Sequence, residues 1–225
     1  MGRLGRRWGG GVAPSWTVGI HLATERYKLI DGGMAICWQC MNLRNPQLLA
    51  TYAIGFGVLF NFIAVFTYVS FHLAAPPFHF SSTLLGAIFA TYLVATLAAP
   101  TAGRMIRMLG RRAFFLAIVA VWTCGCLLTL APSLSLIIAG LTLCAGCGML
   151  CQTVATSYVT MIVKEGRSSA VGLYVTSFYA GGSMGALIPG FAWNVGGWPA
   201  CVATVVAMLA IMASIAALAY ARQAD

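Results

Sequence analysis

Few residues in this chain could do chemistry, and they are scattered. Gly181-Gly182-Ser183-Met184-Gly185 has the Gly-x-Ser-x-Gly spacing that can present a serine nucleophile. Serine attacks poorly unless a base lies within hydrogen-bond reach. No histidine follows Ser183, and His72 stands far upstream. Cys37-x-x-Cys40 has half of a zinc spacing, but no second cysteine or histidine pair follows, so no metal is expected. The other six cysteines fall inside apolar stretches, where cysteine acts as a small packing residue. Asn61 and Gln152 are more telling: each is an amide in the middle of a long apolar run. Tyr68, Tyr158, Tyr174, Ser177 and Tyr179 accompany them. Such groups either bond between helices or line a cavity. We take Asn61, Gln152, Tyr68, Tyr174 and Ser177 as cavity candidates, with walls suited to amphipathic small molecules. Nothing in the sequence marks an enzyme or a cofactor.

The elements that would hold these residues follow from the charge distribution. The 225 residues are 60% hydrophobic and 8% charged, with a mean hydropathy of +0.89. A soluble domain carries about 25% charged residues, so a soluble globular enzyme is excluded. Runs free of Asp, Glu, Lys and Arg extend from Leu48 to Ala74, Ser82 to Ala102, Ala113 to Leu130, Leu134 to Val163, Ala170 to Trp193 and Ala200 to Ala221. Roughly 20 apolar residues cross a bilayer as a helix. Bare backbone is not tolerated in lipid, and the runs are too long for barrel strands. Pro76-Pro77, Gly110, Pro132-Ser133, Gly166 and Gly196-Gly197 punctuate them. The expected fold is therefore an all-α membrane protein with six transmembrane helices. Residues 45–225 form that six-helix domain. Residues 1–44, basic and glycine-rich at the start, read as a poorly organised tail or a mis-assigned start.

The net charge of +9 invites nucleic acid as a partner, but the basic residues sit between apolar runs, where membrane topology accounts for them. Arg44, Arg104, Arg107, Arg111, Arg112, Lys164, Arg167 and Arg222 occupy alternate connections. The loops around Phe78, Pro132 and Gly196 contain no lysine or arginine. The positive-inside rule then places both termini and the basic loops in the cytoplasm. Glu25, Asp31, Glu165 and Asp225 all lie outside the six runs, so no carboxylate is expected at mid-membrane to carry a proton. His72 and His79 fall at the opposite, outer end.

Three passages resemble the C-terminal half of a major facilitator superfamily transporter: Arg44-Asn45-Pro46, the stretch from Gly103 to Arg112, and that from Gly172 to Trp198. Within the family the chain is most similar to bacterial twelve-helix efflux permeases. The family's basic loop motif is matched at Gly103, Gly110, Arg111 and Arg112, while Arg107 stands where the family has Asp and Met108 where it has Arg. Gly172, Gly181, Gly185, Pro189 and Gly190 resemble the glycine-proline motif of antiporters, with Ala186 departing from it. Read from spacing alone, Gly181 and Gly185 share one helix face and open a groove for close packing, and Pro189 can kink the helix. The resemblance implies efflux of a small solute, proton-coupled in a complete protein, in a bacterial inner membrane. It also implies a truncated chain whose partners are lipid, substrate and an N-terminal six-helix half or a second copy. The alternatives are a non-transporting six-helix subunit, a degenerate gene product, and, remotely, an intramembrane serine protease built on Ser183.

Overall fold

The computed structural model describes residues 45–96, 99–163 and 166–219. The segment 1–44, with Cys37 and Cys40, lies outside the described residues, as do Lys164 and Arg222. All regular structure among the described residues is helical. In chain order the helices are α1 (Pro46–Ala74), α2 (Ser82–Ile88), α3 (Thr91–Thr96), α4 (Ala102–Leu109), α5 (Arg111–Leu128), α6 (Leu134–Ile162) and α7 (Arg167–Ala219). A 3-10 turn, Ala99–Thr101, precedes α4. Four helices, α1, α5, α6 and α7, are long and apolar enough to cross a membrane.

Local chemistry sets the ends. The Asn45 side chain accepts from the Gln47 amide at 3.0 Å, and Pro46 occupies the first turn, where its missing N–H costs nothing. At the far end Pro76 holds Ala75 extended (φ −81°, ψ 163°), which stops α1. Gly110 separates α4 from α5 with φ +76°, a conformation that side chains resist.

α7 is not one rod. Gly196 and Gly197 leave helical geometry, the latter at φ +62°. The Cys201 thiol donates to the Pro189 carbonyl at 3.2 Å, although twelve residues of straight helix would span about 18 Å. The chain therefore folds back at the glycine pair, giving a first limb, 167–195, and a second, 198–219. These limbs match the expected runs from Ala170 and from Ala200.

The run expected as a single helix from Ser82 to Ala102 is instead broken into short pieces. Around Phe89 and Ala90 the amides bond three residues back, Phe89 to Gly86 at 3.1 Å and Tyr92 to Phe89 at 3.0 Å, tightening the chain into a turn. Tyr92 is pinned there by rings of α1, its centroid 5.0 Å from Phe62 and 4.6 Å from Phe66. The passage from Gly103 to Leu109, expected as loop, is the helix α4. Its arginines Arg104 and Arg107 are exposed while Ala102 is buried.

α1 packs chiefly on α7, and α5 on α6. The second pairing is close because glycine meets glycine: a Cβ on Gly125 would lie 3.0 Å from the Gly140 carbonyl oxygen. The Cys126 and Cys144 sulfurs sit 3.6 Å apart in the same seam. At one end of the bundle, Trp198 donates to the Thr129 carbonyl at 3.0 Å and stacks on His72 at 5.7 Å. Arg104, Arg107, Arg111, Arg112 and Arg167 all lie at the other end, because that is where α4 meets α5 and where α6 gives way to α7.

Candidate functional site: the seam between α1 and α7

Gly181 and Gly185 belong to the first limb of α7, and both lie against the backbone of α1. A Cβ on Gly181 would collide with the Phe56 carbonyl, and one on Gly185 with the Phe60 carbonyl. One turn earlier, the Ser177 hydroxyl donates to the Tyr52 carbonyl at 2.8 Å. The three contacts share a 125-residue offset, so the two segments run parallel and in register, one contact per four residues. Small residues at every fourth position let helix backbones touch, which is how helices associate where lipid removes the hydrophobic drive. Gly172, further back, has open space around it, and Gly190 further on meets the Tyr68 hydroxyl, 2.7 Å from where a Cβ would stand.

Tyr68 closes the end of the seam away from the arginines by donating to the Ala186 carbonyl at 2.6 Å. That carbonyl lies in the turn before Pro189, where the absent proline N–H loosens the helical hydrogen bonding. Pro189 itself is buried, and its carbonyl accepts from Cys201 of the second limb.

The amides take different places. Gln152, half-buried on α6, accepts the Tyr174 hydroxyl at 2.7 Å, which joins α6 to α7. The Tyr174 ring fills the space over Gly55 of α1, so this tyrosine touches three helices. Asn61 is 0% exposed, enclosed between α1 and the second limb, and its Nδ2 donates to the Met212 sulfur at 3.3 Å. Its Oδ1 has no hydrogen-bond donor among the described residues. Asn61 thus faces its own bundle, whereas Tyr52, Phe56 and Ser177 line an apolar cleft of about 610 Å³ with Leu49, Met208 and Ile211. Tyr179 is 65% exposed.

At the basic end, Arg111 reaches across to α6. Its Nη1 donates to the Val154 carbonyl at 3.0 Å and the Ser157 hydroxyl at 3.1 Å, and its guanidinium lies 5.0 Å from the centre of the Tyr158 ring. Arg107 and Arg112 are exposed, and Gly103 has open space around it, the Arg107 guanidinium lying 4.0 Å from where a Cβ would stand. Ser183 donates to the Tyr179 carbonyl of its own helix at 3.2 Å, while His72 lies between Phe78 and Trp198.

Sequence reasoning did not find Tyr52, Phe56, Phe60 or Met212. Spacing can show that a helix has a smooth face, but not which helix lies upon it. The glycines at 55 and 57 were the available signal, marking where α1 receives Tyr174 and Met212.

The sequence profile of the Major Facilitator Superfamily matches residues 47–224. An uncharacterized transporter of Buchnera aphidicola subsp. Schizaphis graminum is 30% identical over 68% of this chain and 37% of its own length. The inner membrane transport protein YnfM of Escherichia coli is 30% identical over 76% of this chain and 41% of its own. The MFS-type transporter YybF of Bacillus subtilis is 26% identical over 85% and 46%. The chain thus spans less than half the length of these relatives. With helices apolar enough to cross a bilayer and a profile match over most of its length, the chain belongs to the major facilitator superfamily.

Proposed function

We propose that residues 45–225 serve as one six-helix half of a secondary transporter that exports a small amphipathic solute across a bacterial inner membrane. In this reading α2, α3 and the 3-10 turn make up the second crossing, and the two limbs of α7 the fifth and sixth. The basic end, with both termini, faces the cytoplasm. Transporters of this type move by rocking one bundle against another around a central site. The observation that carries the reading is the in-register contact of Ser177, Gly181 and Gly185 with α1. It makes α1 and the first limb of α7 a single stiff unit, which a rocking bundle requires, and leaves the cleft beside Tyr52 and Phe56 open. The substrate face would then be built around Tyr52, Phe56 and Ser177, with Gln152 and Tyr174 bracing it. The described residues include no Asp or Glu, so the proton carrier belongs to the opposing bundle.

The test is transport in proteoliposomes under an imposed pH gradient, using amphipathic cations and sugars as cargo. The chain is assayed alone and after co-expression with the N-terminal half of a related permease. Uptake that appears with the partner half and not without it supports the proposal. Gradient-driven uptake by the chain alone overturns the two-bundle reading, and absence of uptake in both preparations overturns transport.

A further inference from the structure

We infer that the outer end of the α1–α7 seam carries a binding site for an alkylammonium group, formed by the rings of Tyr68, Phe71 and Trp193. The three centroids make a near-equilateral triangle, 5.9 Å between Tyr68 and Phe71 and 6.2 Å from each to Trp193. All three rings border one cavity of about 350 Å³, together with Gly190, Phe191 and Asn194. That size falls at the lower end of small-molecule sites.

The chemistry of this wall selects for positive charge. Aromatic faces are the negative part of the ring quadrupole and attract a cation within about 6 Å of the centroid. The one proton on the Tyr68 hydroxyl is committed to the Ala186 carbonyl at 2.6 Å, so its oxygen offers acceptor capacity. No lysine or arginine occurs between Arg167 and the end of α7, or anywhere in α1 and the loop that follows it, so these segments hold no permanent charge to repel a cation or attract an anion. His72 is turned to Phe78 and Trp198 instead. The described residues also contain no carboxylate, which makes the rings the recognising element. A soft, weakly hydrated ammonium suits such a site better than a metal ion, whose hydration shell aromatic carbon cannot replace.

An aromatic belt that merely sits at the membrane surface would not need this arrangement. Belt rings meet lipid singly, whereas these three come from two helices and converge on one concavity. Gly190 lets the Tyr68 hydroxyl come close to α7, since a Cβ there would lie 2.7 Å from the Tyr68 oxygen. Phe71 is 56% exposed, so a ligand can reach the rings. The inference concerns binding and does not depend on the chain transporting anything.

The experiment uses the full chain in nanodiscs of phosphatidylglycerol and radiolabelled choline, with 3,3-dimethylbutan-1-ol as competitor. That alcohol replaces the ammonium nitrogen by carbon at nearly the same shape. Saturable choline binding is expected, with the neutral isostere weaker by about five- to thirtyfold, the range of a partly desolvated cation–π contact. Phe71→Leu, at a ring largely outside the core, is expected to weaken choline about fivefold or more, and Trp193→Phe less than Trp193→Leu. Equal affinity for choline and the alcohol, unsaturable binding, or full affinity in Phe71→Leu overturns the assignment. Repeating the measurement with phosphatidylethanolamine added names the native source. Competition identifies a lipid headgroup ammonium, and indifference identifies a dissolved one.

Discussion

Arg111 illustrates how a residue's chemistry can be legible while its contact is not. As one of several basic residues at alternate connections, it was expected to fix orientation. The structure adds two hydrogen bonds into the final third of α6 and a stack over Tyr158. A planar fork can satisfy a carbonyl and a hydroxyl together, which the point charge of lysine cannot. Arg111→Lys should therefore lower the stability of the purified protein, by about 1–2 kcal/mol in denaturant titration, since charged hydrogen bonds contribute about 1.5–3 kcal/mol. Arg112→Lys, at the exposed neighbour, should leave the midpoint unchanged. Equal shifts would show that charge alone matters at this turn. The amides carry the same lesson. Asn61 and Gln152 were visible as polar interruptions of apolar runs, but the direction each side chain takes depends on Met212 and Tyr174, brought close by folding.

Among the elements, the glycine spacing was legible and its consequence can be tested sharply. Gly185 lies on the Phe60 backbone, whereas Ala186, one residue round the helix, is exposed. Gly185→Leu should sharply reduce the folded yield in detergent, by overpacking of at least about 1–3 kcal/mol, and Ala186→Leu should be tolerated. Even Gly181→Ala should destabilise, because the added methyl meets a carbonyl rather than a yielding side chain. Indifference to all three would remove the seam as a structural unit. The ends of α1, α5 and α6 also follow from the charge-free runs, to within a few residues. The crossing expected from Ser82 to Ala102 does not. Its apolar composition says nothing of the turn at Phe89 and Ala90, which forms because Tyr92 packs among the α1 rings. Hydropathy reports what a segment can dissolve in, and its path is set by what it touches.

For the whole molecule, the segregation of the described arginines to one end is the feature with the widest reach. Single cysteines placed in a background lacking the native ones should react with an impermeant reagent from outside at Phe78 and Gly196. Those at Gly110 and Gly166 should stay protected until the membrane is opened. Labelling of Gly110 from outside would reverse the orientation. The parallel seam has a further consequence, for the order of biogenesis. Phe56 and Phe60 find their glycine partners 125 residues later in the chain. At about 5–20 residues per second, a ribosome needs roughly 6–25 s to make that stretch. During this interval α1 is already apolar enough to be in the bilayer, with its seam face bare and Asn61 lacking Met212. When the partner arrives, its two limbs are joined by no more than the turn at Gly196 and Gly197. Until residues 167–195 are delivered, the face of α1 that will carry the seam is covered by something other than α7, lipid included.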